Sequence, residues 1–459
     1  MKKYLYTTFL LIILPIIISG EKVIFAFQMH RHGARAPYLG VENNLDFYKE
    51  EWIDKEELTN MGKRMLYLLG VKTRKRYMEQ TKLLSKEFSP QEILIRSTDV
   101  NRTIESVECF IQGLYPHGTG PVLNEKIAKN PNISYPPNKL YKDEFEEVIN
   151  RYKLNDPSNY YALPYRMNIL PVHLFYTPLH EFGLYSTSVC KGHSDIYEKQ
   201  KIRDEVIQFG RNWTSRFPGV IEALQGTKDE KILYEYWNMF KYADTFVIDD
   251  RDQRSLDTFK KLTKNVNDYE DFKNYSRKFL YMDYSETNYP KAHPEITVVA
   301  LSYTMHSLVN WMEKARVGEG KKSSYIKYVH YSAHDSSIGA LEFFMEYAFN
   351  TTATYAELGE SRFFEFYQDD SNNYRVRYLK GDSYDPLLDI SFDDFKKVIN
   401  ETTWSDEKVA EYCKFNETTP GPTPAPETKL WTTLFIVMIA MGVVVLVLTI
   451  ILIVLCCKK

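Results

Sequence analysis

The chain has 459 residues, with 58 Lys and Arg against 61 Asp and Glu and a formal net charge of -3. The basic residues are balanced by acids throughout, which argues against wholesale binding of nucleic acid. At this length one to three domains with a large core are expected, and the 35 tyrosines read as packing residues rather than as a ligand platform.

Met1–Gly20 opens with Lys2-Lys3, runs apolar from Leu10 to Ile18 and ends in the small pair Ser19-Gly20. That is the three-part form of a secretory signal peptide, residues 1–20, cleaved after Gly20. An uncleaved anchor is the other reading of the same segment. Val23–Met29 is short and apolar and predicts a buried strand. RHGARAP (Arg31–Pro37) follows it and brings Arg31, His32 and Arg35 within reach of one small anion. Glu56–Met78 predicts a helix, with Thr59 as cap and Met61, Met65, Leu66, Leu69 and Tyr77 at roughly helical spacing. Beyond Pro90, Glu92–Arg96 predicts a strand that ends in the basic string RSTDVNRT (Arg96–Thr103). Thr98 or Asp99 is placed to cap the next helix, which runs toward Leu114.

From about 121 to 295 no strong strand signal appears. Segments such as Tyr197–Phe209 and Asp229–Ala243 favour helix, so this span predicts a mostly helical insertion with long loops. Ile296–Ala315 predicts a helix leading to strand Lys327–Ser332, and His334-Asp335 stands just past that strand. Phe363–Tyr367 and Tyr374–Tyr378 alternate about Asp369–Asn373 and predict a hairpin. Three strand-like runs thus end in charged residues, and open α/β sheets place their sites at the carboxyl ends of strands. The expected fold is α/β: a Rossmann-like central sheet with flanking helices, about 21–120 and 296–415, plus the helical insertion (cap) of about 121–295.

Residues 416–429 are rich in Pro and Thr and predict a stiff stalk. Residues 430–455 exceed the ~20 apolar residues that a membrane-spanning helix needs. The last four, 456–459, form a short tail whose lysines fit a cytoplasmic side. A cleaved lipid-anchor signal is the competing reading. A single-pass type I protein follows, lysosomal, vacuolar or at the cell surface, with nearly everything outside the cytosol. Seven Asn-x-Ser/Thr acceptors agree: Asn101, Asn132, Asn212, Asn274, Asn350, Asn400 and Asn416. Of five cysteines, Cys456 and Cys457 would lie at the cytoplasmic membrane face. Cys109, Cys190 and Cys413 permit one disulfide in any of three pairings. No Cys and His spacing suggests a metal site.

Phosphoryl transfer demands charge neutralisation and positioning, and the guanidinium fork suits phosphate oxygens. Arg31, Arg35 and Arg96 are the candidates to clamp the phosphate. His32 is the candidate nucleophile, and Asp335, beside a phosphate-binding His334, the candidate general acid. The arginines do the neutralising, so neither metal nor cofactor is required. His30, His117, His173 and His306 read as packing histidines, and Lys72–Arg76 as a solvated helix face.

RHGARAP, RSTDVNRT and YSAHDSSIGAL (Tyr331–Leu341) together resemble the acid-phosphatase branch of the histidine phosphatase superfamily. Further similarity runs through LTNMGKRMLYLLG (Leu58–Gly70), LPVH (Leu170–His173) and RFFEFY (Arg362–Tyr367), and the likeness spans about Lys22–Cys413. The stalk and single span are similar to the arrangement of membrane-anchored lysosomal acid phosphatases. The resemblance implies an acid phosphatase that hydrolyses small phosphate monoesters through a phosphohistidine on His32, with Asp335 as proton donor. It implies phosphate binding by Arg31, Arg35, Arg96 and His334, and structural support from Asp99 and Arg102. A Cys190–Cys413 disulfide is implied, leaving Cys109 unpaired, and dimers are common among similar proteins. Ala34 departs from the Asp common in that slot, and the other family bridges are missing, including one near Gly381–Pro386. Two alternatives compete: a phytase-like inositol-polyphosphate phosphatase, and a non-catalytic ectodomain that keeps a phosphate pocket. The first needs a broad basic rim, which the insertion does not obviously display. The second is usually marked by loss of His32 or Asp335, and both are present.

Overall fold

A computed structural model describes residues 20–36, 56–122, 162–174, 204–217, 268–280, 295–319, 325–381 and 384–414, with short pieces at 190–192 and 243–244 and a few isolated positions. The expected signal peptide, stalk, membrane span and tail lie outside the described residues, as does most of Asp229–Ala243. Among the described residues no helix is long and apolar enough to cross a membrane.

Among the described residues seven strands make one sheet: β1 (Lys22–Arg31), β2 (Ile93–Ser97), β3 (His173–Leu174), β4 (Tyr328–Ala333), β5 (Ser361–Gln368), β6 (Tyr374–Lys380) and β7 (Asp385–Ser391). Their order is β3-β2-β4-β1-β5-β6-β7. The half from β3 to β1 is parallel and the half from β1 to β7 antiparallel. β1 is central and covered on both faces, which is why its sequence is a continuous apolar run rather than an alternation. Phe25 and Phe27 stack on Trp311 on one side. Gln28 accepts from Thr73 and His30 stacks on Phe110 on the other.

The second of these faces is covered by α1 (Asn60–Arg74) and α2 (Asn101–Leu114). The Thr59 hydroxyl caps α1 by accepting from the Gly62 amide at 3.0 Å, and a π-turn, Lys75–Gln80, prolongs the helix. The two helices cross in close contact: a Cβ on Gly70 would lie 2.1 Å from the Phe110 carbonyl oxygen. Neither Thr98 nor Asp99 caps α2. Its cap position is Val100, with no side-chain bond, because the Thr98 hydroxyl is turned to Thr103 and His334 instead.

Two helices of the expected insertion are described, α3 (Asp204–Arg216) and α4 (Asp268–Leu280), with Phe217 set edge-on to Phe272 between them. The two-residue β3 falls in the same span and is too short to leave a sequence signal. The opposite face of the sheet carries α5 (Glu295–Gly318), α6 (Asp335–Phe349) and α7 (Phe392–Thr402), followed by α8 (Asp406–Cys413). Here Phe364 and Phe349 meet Phe395, and Phe366 meets Phe392. Arg362, fully buried, is ion-paired to buried Glu342 and donates to Thr354, while Tyr378 donates to the same carboxylate.

The Phe363–Tyr367 and Tyr374–Tyr378 hairpin forms as the alternation predicts, pinned by Asp369, whose carboxylate accepts from the Ser371 and Asn373 amides. β7 gave no strand signal because Pro386 interrupts it; an edge strand tolerates that residue. Cys190 is disulfide-bonded to Cys413 at 2.06 Å, tying the span between β3 and α3 to the end of α8, and Cys109 is a free, half-buried thiol.

Candidate active site

β1 and β4 are parallel neighbours, yet the chain leaves β1 toward α1 on one face and leaves β4 into α6 on the other. Such a point opens a crevice at the carboxyl ends of the strands. His32 follows β1 directly and His334 follows β4 directly, and their rings stand 5.6 Å apart.

The RHGARA loop is held by its backbone. The His32 amide donates to the Ala333 carbonyl at 3.0 Å, and the His32 carbonyl accepts from Gly359 at 3.0 Å. The Gly33 amide donates to Ser106 Oγ. A Cβ on Gly33 would sit 2.5 Å from the Gly62 carbonyl oxygen, so this approach of loop to helix requires glycine. Thr59 donates to the Ala34 carbonyl through both its amide and its hydroxyl. Ala34 is buried against Leu358 and Met65, an apolar place that suits Ala.

The His32 tautomer follows from its partner. Nδ1 faces the Gly33 carbonyl at 2.9 Å, and a carbonyl only accepts, so Nδ1 carries the proton and Nε2 keeps its lone pair. Burial, and after it the charges of Arg102, Arg35 and Arg31, hold the imidazole well below its ordinary pKa. Nε2 therefore keeps an unprotonated lone pair below the ordinary imidazole range. His334 is lowered to about 3, by burial first and Arg102 next. Its Nδ1 faces Arg102 Nη2 at 3.5 Å, and guanidinium only donates. Nε2 thus carries the proton, donating to the Thr98 hydroxyl at 2.9 Å.

Arg31 is fully buried and donates to Asp335 Oδ2, to the Tyr355 hydroxyl (both 2.8 Å) and to the Ala356 carbonyl at 2.9 Å. Arg35 is held by Asp244 at 2.6 Å, and Arg102 by Glu56 at 2.8 Å. Asp335 begins α6 and is partly exposed. Burial works to raise its pKa, but the guanidiniums of Arg31 and Arg35 outweigh it and hold the carboxyl below the usual range.

The expected residues Arg31, His32, Arg35, His334 and Asp335 are thus gathered in one place. Arg96 is not placed with them. It lies inside β2, opposite Tyr331 in register, and its guanidinium is 6.0 Å over the Tyr331 ring, on the α5 face where Trp311 also packs. Arg102 takes the place expected of Arg96 and is the leading charge acting on both His32 and His334. The physical reason is the strand's period of two. Ile93, Ile95 and Ser97 share one face, so Arg96 points to the other, while Arg102 lies in the first turn of the helix that starts at the pocket. Distance from the strand end was the available signal: Arg31, His32 and His334 stand at or just past a strand's last residue. Asp244, Glu56 and Tyr355 carry no motif and reach the site only through the fold.

Of the other histidines expected to pack, His30, His306 and His117 do and His173 does not. His30 donates from Nδ1 to the Arg31 carbonyl and lies against Phe110 and His330. His306 bonds Thr403 and His117 stacks on Tyr165. His173 is exposed on β3.

Residues 22–160 match the family model of the histidine phosphatase superfamily, branch 2. The lysosomal acid phosphatase of Xenopus laevis is 24% identical over 372 residues, 80% of this chain and 71% of that protein. The lysophosphatidic acid phosphatase type 6 of Mus musculus is 36% identical over 80 residues, 17% of this chain and 19% of its own. Among solved structures, the Hafnia alvei phytase in complex with tartrate shares the fold at a TM-score of 0.53 and 12% identity, covering 84% of this chain and 98% of its own. The phytase from Citrobacter braakii is similar at a TM-score of 0.52 and 13% identity, covering 83% and 98%. These matches place a histidine phosphatase superfamily (branch 2) domain match at residues 22–160, and the mixed seven-stranded sheet with its flanking helices shares the fold of the phytases.

Proposed function

We propose that this protein is an acid phosphatase that hydrolyses small phosphate monoesters through a phosphohistidine on His32. The observation that carries the reading is His32 itself: neutral, its Nδ1 fixed on Gly33, its Nε2 open among Arg31, Arg35, Arg102 and His334. In the first step Nε2 attacks phosphorus, the ester P–O bond breaks, and the leaving alkoxide takes a proton from the carboxyl of Asp335. In the second, Asp335 takes a proton from water, whose oxygen attacks phosphorus. The P–N bond breaks, and inorganic phosphate and free His32 are regenerated. The three guanidiniums supply the neutralisation that a metal supplies elsewhere.

An acidic optimum follows. Arg31 holds the Asp335 carboxyl below its usual range, so the required proton arrives with the substrate. A phosphate monoester loses its second proton near pH ~6; below that, the monoanion brings a proton into contact with Asp335 as its oxygens occupy the arginines.

The lysosomal names of the Xenopus laevis and Pongo abelii relatives support a secretory-pathway address. The apolar run 430–455 supports a membrane anchor, and the Asn-x-Ser/Thr acceptors support a lumenal catalytic part. The phytase-like alternative has less support, since Arg216, Lys273 and Arg277 of the described insertion are each paired with an acid.

Hydrolysis of p-nitrophenyl phosphate across roughly pH 4 to 8, with and without chelator, tests the reading. Acid-optimum turnover that survives chelator and vanishes in His32→Ala is expected. An alkaline optimum, or abolition by chelator, refutes it.

A further inference from the structure

Each of the three arginines around His32 is met by a carboxylate from a different part of the chain. Arg31 pairs with Asp335 at 2.8 Å, Arg35 with Asp244 at 2.6 Å and Arg102 with Glu56 at 2.8 Å. The proposed mechanism uses Asp335 and leaves the other two without a role. Asp244 is 1% exposed, lies 209 residues from Arg35 in sequence, and comes from the insertion. The Glu56 side chain is 30% exposed and follows the RHGARAP loop. Arg35 spends Nη2 on Asp244 and Nη1 on the Ala36 carbonyl, while its buried Nε meets no partner among the described residues.

The charged and titratable groups that face the pocket, among the described residues, can be summed. Arg31 and His32 come from the end of β1 and the loop after it, Arg35 from that same loop, and Glu56 from the segment before α1. Arg102 comes from α2, Asp244 from the insertion, and His334 and Asp335 from the end of β4 and the start of α6. Tyr355 lies beside Arg31, with the Arg277–Glu357 pair behind it. Three guanidiniums meet three carboxylates, and both imidazoles are neutral. Among the described residues the charges facing the pocket cancel.

We propose that Asp244 and Glu56 are positioning residues that also balance the charge of Arg35 and Arg102, so that phosphate enters this pocket together with a proton. The inference rests on the reading of those arginines as phosphate ligands. A dianion in a neutral, largely buried pocket leaves two uncompensated charges where the dielectric is low. Protonating the phosphate or Asp335 removes one of them. Affinity for phosphate therefore falls as pH rises, and the carboxylates behind the arginines set where the fall begins. Their placement also fixes the guanidiniums before the ligand arrives, so little reorganisation is left for binding.

Titration calorimetry of inorganic phosphate with the full-length chain, across roughly pH 4 to 8, tests this. Asp244→Asn keeps an acceptor for Arg35 and removes one charge. In that variant the loss of affinity is expected to begin about one pH unit higher, with phosphate held about tenfold tighter at neutral pH. Glu56→Gln moves the profile in the same direction by less, because a more exposed charge is better screened. Asp244→Glu restores the wild-type profile. Asp244→Ala, which removes the acceptor too, lowers kcat, an effect that no change of pH rescues. Should Asp244→Asn not fold, Glu56→Gln decides. A wild type that binds phosphate while the folded variants keep its pH profile overturns this inference alone. A wild type that binds no phosphate overturns the phosphatase reading with it.

Discussion

The exchange of Arg96 for Arg102 gives a sharp test of how the pocket neutralises phosphate. Arg102→Ala removes a guanidinium fixed on one side by Glu56 at 2.8 Å and standing 3.5 Å from His334. It is the leading charge on both histidines, so it lies where charge develops on the transferring group. Loss of one such donor from a preorganised, water-poor site costs about 3 kcal/mol, or roughly two orders of magnitude in kcat/KM. Arg96→Ala loses its placement over Tyr331, a contact of about 1 kcal/mol that acts on stability. Its kcat/KM is expected to stay within about threefold of wild type. Steady-state hydrolysis of p-nitrophenyl phosphate at acid pH, run beside thermal melts, measures both. A second signal accompanies the first: in Arg102→Ala, the His334 pKa of about 3 rises in an NMR titration, though burial keeps it below its ordinary value. Equal losses in the two variants, or a larger one in Arg96→Ala, would refute the assignment.

Three further predictions concern stability. Glu342→Ala leaves buried Arg362 with only the Glu360 carboxylate at 3.1 Å, and denaturant melts should show a loss of about 3 kcal/mol, with Glu342→Gln intermediate. Replacing Cys190 and Cys413 by Ser opens a loop of 223 residues, for which chain entropy sets an upper limit of about 5 kcal/mol; an unchanged melting temperature in non-reducing buffer would count against the bridge. His30 is lowered from 6.5 to about 4, burial being the main cause, so the folded state binds fewer protons than the unfolded between those values. Its contribution is complete above pH 6.5 and is lost as pH falls toward 4, up to about 3 kcal/mol. His30→Asn, which keeps a donor for the Arg31 carbonyl and cannot titrate, should flatten that part of the stability profile.

Several features were legible from local pattern alone. The run Val23–Met29 reads as a strand because a strand buried on both faces needs apolar residues throughout. Thr59 reads as a cap because its hydroxyl meets the amide of Gly62. Arg31, His32, His334 and Asp335 could be picked out because each stands at or just past a strand end, where parallel sheets open their sites, and Arg35 because it shares the loop after β1. Other features have no local trace. Pro386 hides β7, and two residues are too few to announce β3. Arg96 and Arg102 share one basic string, and only the pleat of β2 and the start of α2 separate their directions.

What the sequence by itself determined was the candidate set of groups: an imidazole, a carboxyl and a set of guanidiniums, placed near strand ends by short-range pattern. The tertiary structure alone decided which arginines meet, which nitrogen of His32 is free, and which carboxylates balance the pocket. Asp244 reaches Arg35 across 209 residues, and Tyr355 reaches Arg31 across 324. Charge balance and tautomer are set by contacts within a few ångströms in space, and no spacing along the chain encodes them.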